Sequence, residues 1–152
     1  MNIEARLEPQ RFDPAAELDA LLHVACGDGA VVSFVGIARR RSKRGSPVER
    51  LILEHHPSLT EKSLHSIAAE GAQRFSVTHL RVVHRCGEIP PGEPIVFVGT
   101  ASPHRRAAFE AADYLMDRLK TDAVFWKKEE GSGPGEWIEP TEADYADRGR
   151  WE

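Results

Sequence analysis

A chain of 152 residues, 41% hydrophobic and 29% charged, is long enough to bury a core without covalent staples and reads as one domain. It has no apolar run near the ~20 residues needed to span a bilayer, and a formal charge of −4 argues against general affinity for nucleic acid. Cys26 and Cys86 are the only cysteines and lack CxxC spacing, so they suggest neither a zinc site nor a disulfide framework and are expected to be reduced, small and buried.

The opening MNIEARLEPQRF mixes both charge signs and lacks the apolar core of a secretory signal, so the chain is expected to stay in the cytosol. Asp13 before Pro14, then Leu18, Leu21, Leu22 and Ala25 with Gly27 as a stop, predicts a short amphipathic helix. Ala30 to Ala38 is nearly continuous in apolar residues, as in a central strand buried on both faces, with Gly36 marking close backbone approach or a bend. The segment Arg39 to Arg44, RRRSKR, leads through Gly45, Ser46 and Pro47 into a strand from Val48 to His56 and reads as a charged loop. Ser58 and Glu61 have capping-box spacing at the start of a helix whose apolar face is Leu64, Ile67, Ala68, Gly71 and Phe75.

Val77 to Arg85 and Pro94 to Ala101 read as a hairpin joined by a turn containing Pro90, Pro91 and Gly92. The next helix, with Ser102 as N-cap and Pro103 in its first turn, runs to about Leu119 and points Ala108, Ala112, Leu115, Met116 and Leu119 at the core. Val124 to Glu129 is extended, and Gly131, Gly133, Pro134 and Gly135 form a turn. Glu136 to Glu139 makes a last short strand, and the acidic tail through Trp151 is expected to be loosely ordered. Helices and mixed strands around one core make the fold class α+β.

Three patterns carry chemistry. His104, Arg105 and Arg106 sit where a helix dipole disfavours cations, which points to an anion such as a phosphate or carboxylate, or else to a solvated turn. In an extended Val124 to Glu129, Phe125, Lys127 and Glu129 share one face while Val124, Trp126 and Lys128 share the other, so only one of the two lysines faces a given cleft. Lys120 can be explained by a helix C-terminus and Lys127 by an edge strand, and spacing leaves both readings open. His55, His56, His79, His84 and Cys86 include good transition-metal ligands, but neighbouring strand residues point to opposite faces, and no metal site is assigned. RRRSKR lacks interleaved aromatics for base stacking. There is no P-loop, no GxGxxG and no GxSxG, so catalysis would rest on lysine, arginine and histidine, with no cofactor called for.

Four blocks, DGAVVSFVGIAR (Asp28 to Arg39), LEHHPSLTEKSL (Leu53 to Leu64), VVHRCGEIPPGEPIVFVGTASPHRRAAFEA (Val82 to Ala111) and MDRLKTDAVFWKKE (Met116 to Glu129), resemble the large, catalytic subunit of molybdopterin synthase in order and spacing. The resemblance implies an α/β hammerhead fold with an additional antiparallel β-subdomain. It also implies a homodimer within a heterotetramer that binds a small ubiquitin-like sulfur-carrier subunit at each end. The reaction would convert cyclic pyranopterin monophosphate, precursor Z, into molybdopterin with sulfur from the partner's C-terminal thiocarboxylate. Position by position, Lys120 and Lys127 match the essential lysines, and Arg39, His104 and Arg105 match residues of the anionic substrate pocket. Phe34 and Met116 lie in matched blocks and are expected to pack in the core. The loop after Arg39 is more basic than the pattern.

Overall fold

A computed structural model describes residues 2–131, 133 and 135–152. In chain order the elements are β1 (Asn2–Glu8), α1 (Pro14–Val24), β2 (Ala30–Ile37), β3 (Val48–His55), α2 (Leu59–Arg74), β4 (His79–Arg85), β5 (Gly87–Ile89), β6 (Pro94–Ser102), α3 (Arg105–Thr121), β7 (Phe125–Gly131), β8 (Glu136–Ile138) and α4 (Glu142–Gly149). The strands form two four-stranded sheets, ordered β1-β4-β6-β2 and β5-β3-β7-β8. The second sheet is antiparallel throughout, whereas the first carries one parallel pair, β1 beside β4. The fold is α+β, as the residue pattern predicted. Among the described residues no helix is long and apolar enough to cross a membrane.

The principal core lies between the first sheet and helices α2 and α3, where Leu64, Ile67, Leu80, Val82, Val98 and Leu115 are fully enclosed. Each such side chain contributes roughly 1.5 to 3 kcal/mol by leaving water. The opposite sheet face is covered by α1 through Leu21, Ala25 and Ala101. The second sheet has its own small cluster, Ala38, Leu51, Leu53 and Ile89, and Phe125 packs against both this cluster and the principal core. Phe125, with Ile95 of β6, therefore links the two sheets through apolar contact.

Several local expectations are corrected. Asn2–Glu8 forms a strand, its alternate Ile3, Ala5 and Leu7 meeting the core; the intervening charges disguised a plain period of two. β2 is an edge strand rather than a central one, leaving Phe34 43% and Ile37 59% exposed, and the strands buried on both faces are β4 and β6. Phe34 accordingly does not sit in the core, whereas Met116 packs at its margin. β4 and β6 do pair antiparallel, but β5 leaves between them to join the second sheet, so they are not a simple hairpin. Leu22 and Cys26 are exposed; Cys86 is buried.

Two of the helix starts differ from the expectation. At α2 the Ser58 side chain caps nothing; instead the His56 imidazole Nδ1 accepts from the amides of Ser58 at 3.2 Å and Leu59 at 3.1 Å. At α3, Ser102 is still in strand register opposite Ala30, so helix begins at Arg105 with His104 as N-cap. α1 starts as predicted, with the Asp13 carboxylate accepting from Ala15 N at 3.0 Å. The C-terminal tail is ordered: Thr141 and Asp144 close a capping box at α4, and Trp151 packs edge-on against Phe75 and Tyr114. Of the expected glycine-rich turn, Pro134 lies outside the described residues.

Candidate functional site

α3 carries a candidate group of cations at each end. At its start, His104 has extended backbone and no side-chain cap bond, Arg105 and Arg106 occupy the first two positions, and no acid lies in the first turn. The first-turn amides thus lack a side-chain acceptor, and the dipole and guanidinium charges add in one direction. The turn is fixed from beneath: Ser102 Oγ donates to Ser76 O at 2.8 Å and accepts from His104 N at 3.4 Å. Gly29 completes the shape. A Cβ there would stand 2.2 Å from Pro103 O, so only glycine allows β2 to begin this close. Gly29, Pro103, His104, Arg105 and Arg106 line an open depression of about 350 Å³, suited in charge and donors to a phosphate.

At the other end, Lys120 lies in the last turn of α3 and Lys127 on β7, opposite Leu53 of β3 and Ile138 of β8. Alternation sorts the neighbours: Trp126 is exposed, and Lys128 lies over the Trp137 ring and pairs with Glu130. Lys127, in contrast, is partly buried, and its ammonium is held below the ordinary lysine range, first by burial and then by the charges of Lys120 and Arg39. A cation removed from water and set beside two others favours its neutral amine.

Arg39, just beyond β2, reaches the same place, donating from Nε to Glu129 Oε2 at 3.0 Å. Glu129 is 8% exposed. Lys120 Nζ stands 3.8 Å from Asp144 Oδ1 of α4, and the neighbouring Asp144 carboxyl is held below its usual range despite partial burial, by the Thr141 amide and the Lys120 charge. Arg39, Lys120 and Lys127 therefore form one cationic group, the lysine cleft, within reach of one another's charge, with Glu129 and Asp144 as counter-charges. The sequence reading missed both acids. Glu129 was legible as the same-face partner of Lys127, and Asp144 as the fourth residue of the capping-box pattern TEAD.

One chain does not bring all five predicted residues together. Lys120 follows Arg105 by fifteen residues on one continuous helix, a separation of roughly 22 Å at about 1.5 Å per residue. The histidines weighed as ligands are also dispersed: His56 caps α2, His79 Nδ1 lies 3.3 Å from Asp28 Oδ2, and His84 stacks on Phe125. Of the basic loop, Arg41 donates to Gly45 O and Arg44 pairs with Glu136.

A family model described as MoaE protein matches residues 7–122. The chain belongs to the MoaE family. Among MoaE relatives, the Pseudomonas aeruginosa protein named molybdopterin synthase catalytic subunit is 49% identical over 147 residues, 97% of each chain. A solved structure, molybdopterin cofactor biosynthesis protein E from Burkholderia multivorans, superposes with a TM-score of 0.81 at 38% identity over 99% of this chain and 97% of that one. The crystal structure of molybdopterin synthase from Staphylococcus aureus superposes at 0.74 and 26% identity over 90% and 95%. The MoaE fold so defined is the two-sheet α+β arrangement described above.

Proposed function

We propose that this chain is the catalytic subunit of a molybdopterin synthase acting in the cytosol. It takes sulfur from the thiocarboxylated C-terminus of a small ubiquitin-like sulfur-carrier subunit and delivers it to cyclic pyranopterin monophosphate, building the molybdopterin dithiolene. The observation that carries this reading is the cleft in which partly buried Lys127 meets Lys120 and Arg39. A thiocarboxylate and a cyclic phosphate are both anions, and cations in a closed, low-dielectric site stabilise developing negative charge far better than in water. Lys120, at the open side of the cleft, is assigned to the partner's terminal thiocarboxylate. Lys127, its pKa lowered by burial and by the neighbouring cations, is assigned to the pterin, where it gives up and regains a proton more readily than an ordinary lysine. The sulfur comes from the partner, which is consistent with the absence of cysteine from the cleft.

His104 and Arg105 are assigned to the substrate phosphate, supplied to the lysine cleft by a second copy of the chain. The unpaired edge of β2 exposes Phe34, Val35 and Ile37, an apolar strip suited to such a copy. If two β2 edges meet about a two-fold axis, the end of one strand, with Arg39, lies beside the start of the other, with Gly29 and the His104 turn. The strand's eight residues span about 27 Å, commensurate with the length of α3.

The test combines purified chain, thiocarboxylated small subunit and precursor Z. Molybdopterin should form, and no product with a competent partner rejects the reading. Mixing inactive Lys127→Ala and Arg105→Ala copies should restore about a quarter of parental activity through mixed dimers, by the statistics of a two-fold assembly. No restoration would show that each site is built within one chain.

A further inference from the structure

His84 is the one buried imidazole among the described residues, and nothing in the assignment above uses it. Its Nδ1 lies 2.8 Å from the Arg85 carbonyl oxygen, so Nδ1 carries the proton and donates it. The ring is thereby pinned at the end of β4 and lies on Phe125, centroids 4.2 Å apart and planes 25° from parallel. Phe125 is two residues before Lys127 on the same face of β7, so the stack stands beside the lysine in the strand's pleat, close enough for the Lys127 charge to act on His84.

We propose that His84 is a positioning residue for Lys127: by its stack on Phe125 it forms the water-excluding wall beside the lysine and fixes the part of β7 that aims the amine into the cleft.

The charges facing Lys127 are Arg39 after β2, Lys120 of α3, Glu129 of β7 and Asp144 of α4; β3 and β8 put uncharged Leu53 and Ile138 beside it, and Arg85 adjoins His84 itself. Arg85 is occupied, with Glu93 Oε1 at 2.7 Å and the Glu88 carbonyl at 3.1 Å. The imidazole stays neutral there, its pKa pushed down to about 4 by burial and by the Lys127 charge. A neutral wall suits the position, because a further cation would add to repulsion that Lys127 already feels from Lys120 and Arg39. A phenylalanine could stack equally well; what histidine adds is the Nδ1 anchor that stops the ring turning.

The inference concerns the same cleft as the synthase reading, so the deciding measurement avoids turnover. The purified chain is acylated with limiting acetic anhydride from about pH 6 to 11, a window around the ordinary lysine value, and Lys127 is followed by peptide mass spectrometry with exposed Lys62 as internal reference. The parent should show a Lys127 midpoint below that of Lys62. His84→Ala, which lets water in beside the lysine, should move it up by about half a unit or more toward Lys62, while His84→Phe should stay near the parent. An unchanged midpoint in His84→Ala, or a shift in His84→Phe as large as in His84→Ala, overturns the proposal. Should His84→Ala not fold, His84→Gln, lacking an aromatic face, takes its place with the same two outcomes. If the parent makes no molybdopterin, the synthase reading falls while the acylation result still decides the role of His84.

Discussion

Arg39 and Glu129 are ninety residues apart in sequence and joined by two contacts, Nε to Oε2 at 3.0 Å and Nη2 to Oε1 at 3.4 Å. The carboxylate is nearly enclosed while the guanidinium remains 45% exposed, so the pair is anchored from the acid side. This orders Arg39 at the point where the first sheet passes its chain to the second.

Replacing Glu129 with Gln should leave the fold intact at a cost of about 1 kcal/mol, since Arg39 can still reach water. Turnover should fall about tenfold or more, because Arg39 loses its anchor and Lys127 loses a nearby negative charge. Parallel denaturant melts and product assays check both parts; a full loss of folding would contradict the modest energetic role.

Acid stability should carry the signature of His84. Its folded pKa, about 4, lies below the ordinary value near 6.5. The unfolded chain therefore binds more protons in that interval, and stability drops as pH falls from about 6.5 to 4, by up to roughly 3 kcal/mol from this group. His84→Phe should flatten that part of the stability profile. Lys127 follows the same sign at alkaline pH: its lowered pKa makes folding more favourable as pH rises toward the ordinary lysine value, so Lys127→Met should raise the neutral-pH melting temperature while abolishing turnover.

Gly29→Ala should displace the His104 turn, because its Cβ would press on Pro103 O at 2.2 Å, backbone with little freedom to yield. The expected outcome is a folded protein with precursor affinity reduced about tenfold, near 1.4 kcal/mol, and with small-subunit affinity unchanged. Equal losses for both ligands would show a general distortion.

Trp151→Ala should destabilise the chain by about 2 kcal/mol, since the indole packs against Phe75 and Tyr114 and donates from Nε1 to Asp117 Oδ2 at 2.7 Å. Urea melts read this directly. α4 should loosen with it, and the Asp144 carboxylate should leave Lys120.

Much of this was legible in the sequence where the governing physics is local. The alternation that placed Lys127 and Lys128 on opposite faces needed only an extended backbone, and the misplaced cations of the α3 start needed only the helix dipole. What failed depended on neighbours. Ala30 to Ala38 has the composition of a central strand, but edge or centre is decided by which strands pair, and here β2 ends the sheet with Phe34, Val35 and Ile37 uncovered. The tail looked too acidic to order, yet its arginines meet acids of the α3 region, Arg148 with Asp122 and Arg150 with Asp117, while its Asp144 meets Lys120, partners that lie twenty or more residues upstream. The separation of His104 from Lys120 was present in plain counting, since a helix that long keeps its ends apart.

α3 contains neither glycine nor proline across its seventeen residues, RRAAFEAADYLMDRLKT, and so has no hinge. The interval between its two cationic ends works as a fixed gauge within the fold. Inserting one residue would turn everything beyond it by about 100°, and no compensating bend is available. The basic loop after Arg39 and the short α4, whose Asp144 stands 3.8 Å from Lys120, lie outside this gauge, so changes of length there leave the distance between the two cationic ends as it is.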